Sequence, residues 1–566
     1  MRDETGITGR RPGYRVTIIT LDAHAASACR RVAERLSPEF PGLDVSLHAA
    51  AEWGETPGAF EAAVEAVESA DIVIANLLFL EEHVKPILPH LEAARERCDA
   101  FAGVIADAQI VRLTKMGTLD MSAPDSGMRK LIKKLRGSSK PSGDSGESKM
   151  KMLRRLPKIL RFVPGKAQDL RAWFLVMQYW LGGSDDNIEA MLRFLMSRYC
   201  RHEAWRGGEA PAPVEYPEVG LYHPELPERI VEDPAALPAP EAPKGTVGLL
   251  MMRSYVLSGD TAHYDAVIRA LEAKGLRVLP AFAGGLDGRP AIDRFFRDAA
   301  GAKIDTLLSL TGFSLVGGPA YNDSDAAIEV LEGLDVPYLA AHPLEFQTLA
   351  QWAESSQGLG PIETTMLIAL PELDGATNPC VFAGRHGTEP CKGCRYACQV
   401  EQESRDMAPC HERIDSLSEK VERQVRLRRK KNAEKKVGVV LFGFPPNAGA
   451  VGTAAYLGVW ESLYNTLHRM AEAGYDLEPP ESVESLRAAV LEGNAAQYGQ
   501  EANVAAHVSA DEIVKNTPPL KAIEAVWGPA PGKVQSDGRG VFVLGAQFGK
   551  VFVGVQPAFG YEGDPM

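Results

Sequence analysis

Residues 246–281 read TVGLLMMRSYVLSGDTAHYDAVIRALEAKGLRVLPA. An apolar run, Thr246–Met252, gives way to an amphipathic stretch, Ala262–Ala273, and then to a second apolar run, Arg277–Ala281. Short continuous apolar runs suit strands buried on both faces, and a helix between two of them is the crossover that parallel pairing needs. Strand candidates at Asp305–Leu310 and Val336–Ala340 extend this unit. The same alternation occurs earlier, where Val16–Leu21, Asp44–His48, Asp71–Leu78 and Phe101–Ile105 are separated by helix-like stretches such as Ala25–Leu36 and Pro57–Ser69. The fold class read from this pattern is α/β and multidomain, with several Rossmann-like parallel-sheet units joined by a helical neck.

Six segments are expected. An N-terminal α/β domain spans 13–165, with a mobile loop near 137–150, where KPSGDSGESK (140–149) is too polar to pack. A helical neck spans 166–208; its helices are Asp169–Leu181 and Asp186–Cys200, with Asp169 and Asp186 as caps. Nine prolines in 209–244 mark an extended connection. The second α/β domain covers 245–375, a cysteine segment and charged helix 376–435, and the start of a further α/β domain 436–566. That last domain reads as incomplete: strand candidates Val541–Leu544 and Val551–Val555 stand close to the final residue, with little left to cover them.

Composition narrows the function. The 566 residues carry 61 Lys and Arg against 75 Asp and Glu, a net charge of −14, which opposes general binding to nucleic acid. The longest apolar stretch, Ala172–Leu181, is too short to span a bilayer, and residues 2–11 mix acids with arginines unlike a secretion signal. A cytoplasmic, reducing location is therefore expected, and disulfides are not. Two basic runs interrupt the acidic background: Arg129–Lys166 has thirteen Lys/Arg against two acids, and Arg423–Lys436 eight against one. Such charge suits carboxylates, an acidic partner or the phospholipid of a peripheral membrane contact; the plainer reading is a solvated loop and a solvated helix face.

Five of the eight cysteines, Cys380, Cys391, Cys394, Cys398 and Cys410, fall within 31 residues. The spacing Cys391-x2-Cys394-x3-Cys398 can curl three thiolates around one centre, and Cys410 can close a fourth position. Soft thiolates suit an iron–sulfur cluster or zinc, but only one C-x2-C pair is present where familiar four-cysteine zinc sites use two. Unligated thiols are the third reading; Cys380 and His411 are spare candidates. Cys29, Cys98 and Cys200 sit in apolar helical patterns, as small core residues do. The loop Gly443–Gly452 (GFPPNAGAVG) follows a strand and precedes a helix, so its amides suit an anion or simply a tight turn. Thr311–Pro319 (TGFSLVGGP) follows a strand at the end where open α/β sheets place ligands. No Walker loop, His-Glu-x2-His or Gly-x-Ser-x-Gly occurs, and His24, His342 and His507 stand apart from other candidate ligands.

TLDAH (Thr20–His24), AFAGGLDGRPAID (Ala281–Asp293), TGFSLVGGP, the cysteine segment, GFPPNAGAVGTAAYL (Gly443–Leu457) and QPAFGYEGDPM (Gln556–Met566) together resemble the large, porphyrin-binding H subunits of magnesium chelatase. The cobaltochelatase large subunits share parts of this pattern. The resemblance runs the length of the chain, and family members continue well beyond QPAFGYEGDPM, so it implies an N-terminal part of such a subunit. It further implies binding of protoporphyrin IX, insertion of Mg2+ on the (bacterio)chlorophyll pathway, and two AAA+ partner subunits, of I and D types, that use ATP. The rival readings are a cobaltochelatase large subunit and a non-catalytic tetrapyrrole carrier or sensor.

Insertion requires stripping water from a hard cation and removing two pyrrole protons, and carboxylates serve both tasks. The resemblance points to Glu562 as a contributor to metal delivery; Asp564 reads equally as a turn residue. The cysteine set is expected to hold an iron–sulfur cluster with a structural or redox-sensing role, since thiolates are the wrong ligands for Mg2+.

Overall fold

The computed structural model describes the chain except residues 1–12, 22, 55, 123–156, 158, 159, 162, 166, 202–205, 207–209, 319, 320, 387–389, 395, 397, 399–405, 443–450, 453, 455 and 557–566. It divides into two compact units, Met1–Val425 and Arg426–Met566. No helix among the described residues is long and apolar enough to cross a membrane.

The first unit opens with β1 (Tyr14–Thr20), α1 (Ala26–Leu36), β2 (Leu43–Ala49), α2 (Ala59–Ser69), β3 (Ile72–Asn76), α3 (Glu81–Arg97) and β4 (Ala100–Val104). The four strands pair in parallel in the order β2-β1-β3-β4. Two short antiparallel strands, β5 (Lys115–Met116) and β6 (Leu119–Asp120), finish one edge. The unbroken apolar run of β1 follows from burial on both faces: Val16 and Ile18 join Cys29, Val32 and Leu36 of α1. Ile19 joins Val67, Ile87 and Leu91 on the other side.

The helices read as a neck, now Ala167–Gly182 and Asp185–Tyr199, are part of the first core. Trp173, Val176, Met191 and Leu195 share one cluster with Val16, Ile74 and Val104, and Trp173 Nε1 donates to Gly103 O at 2.9 Å. A helix apolar around most of its circumference must be covered on all sides, and burying one such indole contributes about 2–3 kcal/mol. The expected caps also differ. Ser184 caps the second helix, accepting from Asn187 N at 3.3 Å, while Asp185 and Asp186 occupy its first turn. Asp169 accepts instead from Thr118 N (2.8 Å), Thr118 Oγ1 (2.7 Å) and Arg198 Nη2 (2.9 Å), tying both helices to the turn between β5 and β6. Burial opposes its charge, but these donors hold its carboxyl below the usual range.

The second sheet begins before Thr246. The Pro-rich connection supplies β7 (Val219–Tyr222) and β8 (Ile230–Val231), which lie antiparallel beside the core strands β9 (Thr246–Met252) and β10 (Arg277–Ala283). Strands Thr306–Ser309, Tyr338–Thr348 and Thr377–Arg385 continue in parallel on the other side of β9, and Met407–Pro409 closes that edge antiparallel. The cysteine segment thus contributes two strands to this sheet. Val247, Leu249 and Met251 face Tyr264, Val267 and Leu271 of the crossover helix Ala262–Ala273, while Leu250 faces Phe295, Phe296 and Leu315. Helix His411–Arg429 packs through Ile414, Leu417, Val421 and Val425. Cys29, Cys98 and Cys200 are buried, as small core residues.

The second unit holds a four-stranded sheet. Val437–Leu441 is parallel to Val551–Val555, which turns back antiparallel through Gly540–Phe548 and then Val504–Ser509. This sheet is therefore mixed and mainly antiparallel. Helices Val459–Glu472 and Val483–Leu491 cover it through Leu463, Leu467, Leu486 and Val490. Val440, Phe442, Val526 and Trp527 remain exposed.

Candidate functional site at the carboxyl edge of the second sheet

In chain order the parallel strands of the second sheet run second, first, third, fourth, fifth across the sheet, so the order reverses between β9 and Thr306–Ser309. The crevice outside the carboxyl ends at such a reversal is where open α/β sheets hold ligands. A cleft of about 380 Å3, open to solvent, lies there, lined by residues such as Met252, Gly285, Asp287, Ser309, Thr311 and Ser314. Two strings singled out in the sequence meet in it. Gly288 N donates to Leu315 O at 2.9 Å and Gly317 N to Leu286 O at 2.6 Å, so the loop after β10 and the Thr311 loop form one wall.

Polar groups set the shape of this wall. Arg289 Nη2 donates to Asp287 Oδ2 at 2.6 Å, and the hydroxyls of Ser309 and Thr311 are 2.9 Å apart. Behind the wall the buried Asp374 accepts from Ser314 Oγ at 2.6 Å and from Leu315 N at 2.7 Å. Burial raises the Asp374 carboxyl above the usual range in spite of those donors. His342 is buried nearby in the strand Tyr338–Thr348, neither ring nitrogen making a hydrogen bond, and burial pushes it down to about 4.

The same edge carries a second constellation. Tyr255 OH donates to Glu345 Oε1 at 2.5 Å, and Arg385 donates to Glu345 O at 3.2 Å and to Glu345 Oε2 at 3.4 Å. The His24 ring of TLDAH lies 5.9 Å from that of Tyr255, so the carboxyl end of β1 faces this group. Asp260 accepts from Met407 N at 2.9 Å. Burial, then the neighbouring Asp406, push its carboxyl up to about 8, so it is largely protonated near neutrality. Sequence reading missed Tyr255, Asp260, Glu345 and Arg385, which carry no local motif.

The expected site residues divide into two groups. Glu562 and Asp564 lie outside the described residues, as do positions 443–450 of the GFPPNAGAVG loop and positions 129–156 of the first basic run. The cysteines are neighbours: burial pushes the Cys410 thiol up to about 11, with Cys394 and Cys398 adding to the effect, and Cys398 is raised by burial and by Cys391 and Cys394. Cys391 Sγ contacts Leu349 O at 3.6 Å. Yet among the described residues no three His, Cys, Asp or Glu side chains converge as metal ligands. Arg423, Arg426, Arg428 and Arg429 are exposed, as on a solvated helix face.

The family model described as CobN/Magnesium Chelatase matches residues 177–566. The chain belongs to the CobN/magnesium chelatase family. A domain of unknown function, DUF3479, matches residues 15–174, which contain the first sheet. Among relatives in this family, the magnesium-chelatase H subunit of Cereibacter sphaeroides is 67% identical over 558 residues, covering 98% of this chain and 47% of that protein. Its counterpart from Rhodobacter capsulatus is 63% identical over 557 residues, covering 98% and 46%. The chain thus spans about half the length of these curated relatives. A solved structure, the catalytic subunit of cobaltochelatase from Mycobacterium tuberculosis, superposes with a TM-score of 0.55 at 18% identity, over 97% of this chain and 39% of that one. At that identity the likeness supports the fold.

Proposed function

We propose that this chain is part of the porphyrin-binding subunit of magnesium chelatase, which inserts Mg2+ into protoporphyrin IX on the (bacterio)chlorophyll pathway. The observation that carries this reading is identity of 67% and 63% across nearly the whole chain to proteins named as the H subunit of that enzyme. Two AAA+ partners, of I and D types, supply the ATP-driven step, in a cytoplasmic complex. In this reading the protein presents apolar walls to the macrocycle and oxygen ligands to the ion, because Mg2+ sheds water only for a well-formed oxygen set. Glu562 contributes to that oxygen set. Cys391, Cys394, Cys398 and Cys410 hold an iron–sulfur cluster apart from the insertion site, since soft thiolates suit iron and not Mg2+.

The test is a coupled assay of the complete subunit with both partners, ATP, Mg2+ and protoporphyrin IX, reading the magnesium porphyrin by its emission. Glu562→Gln is expected to bind porphyrin while losing insertion. Activity with cobalt and a corrinoid, and none with Mg2+ and protoporphyrin, would overturn the reading.

A further inference from the structure

The guanidinium of Arg31 stands between two acidic groups. On one side it grips Asp185 through Nε and Nη2, and Arg35 Nη2 reaches the same carboxylate at 3.3 Å. On the other side it donates to Ser258 O at 2.8 Å, at the end of helix Arg253–Ser258. Gly259 follows with φ +75°, and a Cβ there would stand 3.4 Å from Arg31 Nη2. The guanidinium therefore lies over the glycine, one residue from Asp260, and the bare backbone at 259 leaves it room to approach.

Asp260 is 3% exposed and accepts from Met407 N at 2.9 Å. Among the described residues the charged groups facing it are Asp406, Glu345, Arg385 and Arg31, with the hydroxyls of Tyr255 and Tyr264. Burial, then Asp406, keep it protonated up to about 8. A carboxylate that ionises in the interior requires a cation far more than one at the surface does. Arg385 already serves Glu345. Asp185 differs: its side chain is 23% exposed and Arg35 is a second cation for it, so water and Arg35 hold its charge if Arg31 leaves. Arg31 lies in the field of Asp406 and Asp260 as well as that of Asp185.

We infer that Arg31 is a clamp shared between two carboxylates: with Asp260 protonated it holds Asp185, and when Asp260 gives its proton to water it turns about Ser258 O to pair with Asp260, leaving Asp185 to Arg35. The grip of α1 on the first turn of helix Asp185–Tyr199 then follows the protonation of a residue in another layer, beside the strand Met407–Pro409. Rising pH loosens that grip, and falling pH restores it.

The test is a double-mutant cycle of Arg31→Gln and Asp185→Asn in the full 566-residue chain, by urea unfolding well below and well above about pH 8. Below it, a coupling of about fivefold in the folding equilibrium is expected, and above it little or none. With Asp260→Asn as the background the coupling should be the same at both. An Asp260 that acts through its field alone leaves the Arg31–Asp185 coupling in place. Hydrogen exchange supplies a reading with both partners intact: protection of the Ile188 and Glu189 amides, corrected for the intrinsic rate, should fall several-fold across that pH in the parent and stay level in Asp260→Asn. Equal coupling at both pH values, unchanged protection in the parent, or a pH dependence that survives Asp260→Asn overturns the clamp.

Discussion

Arg31 grips Asp185 with both arms of its fork, Nε to Oδ2 at 2.9 Å and Nη2 to Oδ1 at 2.7 Å. The same Nη2 reaches Ser258 O at 2.8 Å. One side chain of α1 thereby joins the first sheet's layer, the first turn of helix Asp185–Tyr199 and the end of the short helix that follows β9.

Arg31→Ala should lower the unfolding free energy of the chain by about 1–3 kcal/mol, since it leaves the Ser258 carbonyl without this donor and Asp185 with the longer 3.3 Å bond from Arg35 Nη2 in place of the bidentate pair. Arg31→Lys should recover less than half of the loss, because an ammonium cannot make the two parallel bonds. Urea titration of the three proteins checks both. Equal midpoints for Arg31→Ala and the parent would show the clamp to be idle.

Asp260 makes stability depend on pH. An ordinary aspartate releases its proton near about 4, whereas the folded chain keeps this one up to about 8. Between those values the folded state binds the extra proton, so stability from this group falls as pH rises and the cost is complete above pH 8. Asp260→Asn keeps an oxygen for Met407 N and removes the titration. It should be more stable than the parent at alkaline pH, by on the order of 2–5 kcal/mol, with the gain vanishing toward the acid end. Melting temperatures across that range give the answer; parallel curves would refute the assignment.

Asp374 holds the Thr311 loop from behind, and Asp374→Ala strands the Leu315 amide in the interior and leaves the Ser314 hydroxyl only its longer bonds with Val316, 3.4 Å to O and 3.3 Å from N. A loss of about 2–4 kcal/mol is expected. Faster hydrogen exchange at Leu315 N–H should accompany it, with exchange in β1 unchanged. Uniform loss of protection across the first unit would show that Asp374 supports more than the loop.

Anaerobic purification followed by iron and sulfide analysis addresses the cysteines. Iron with acid-labile sulfide is expected in the parent, and loss of both in Cys394→Ser and Cys410→Ser. Stoichiometric zinc without sulfide would replace the cluster by a zinc site.

The parallel cores were legible because β1 and β9 are buried on both faces, and a strand in that position has no polar side to disguise it. The edges were not. Val219–Tyr222 is four residues long and lies among prolines, which an antiparallel edge strand tolerates at its ends but which read as a linker in one dimension. Asp169 shows a related limit: an acid in a helix's first turn looks like a cap, and only the distant Thr118 and Arg198 reveal its use as a tie. Tyr255 and Glu345 are 90 positions apart, and Glu345 and Arg385 are 40 apart, so no spacing rule joins them. The two loops of the cleft were legible as strings, but their pairing through Gly288 and Leu315 belongs to the sheet that brings them together.

The antiparallel pairing of β7 with β10 also has a consequence in time. Gly220 lies opposite Phe282, and ribosomes add roughly 5–20 residues per second. For several seconds of synthesis Leu221 and Tyr222 are therefore outside the ribosome before the strand they border exists. The prolines around them leave a backbone short of amide donors, which is a poor template for any other strand that arrives first.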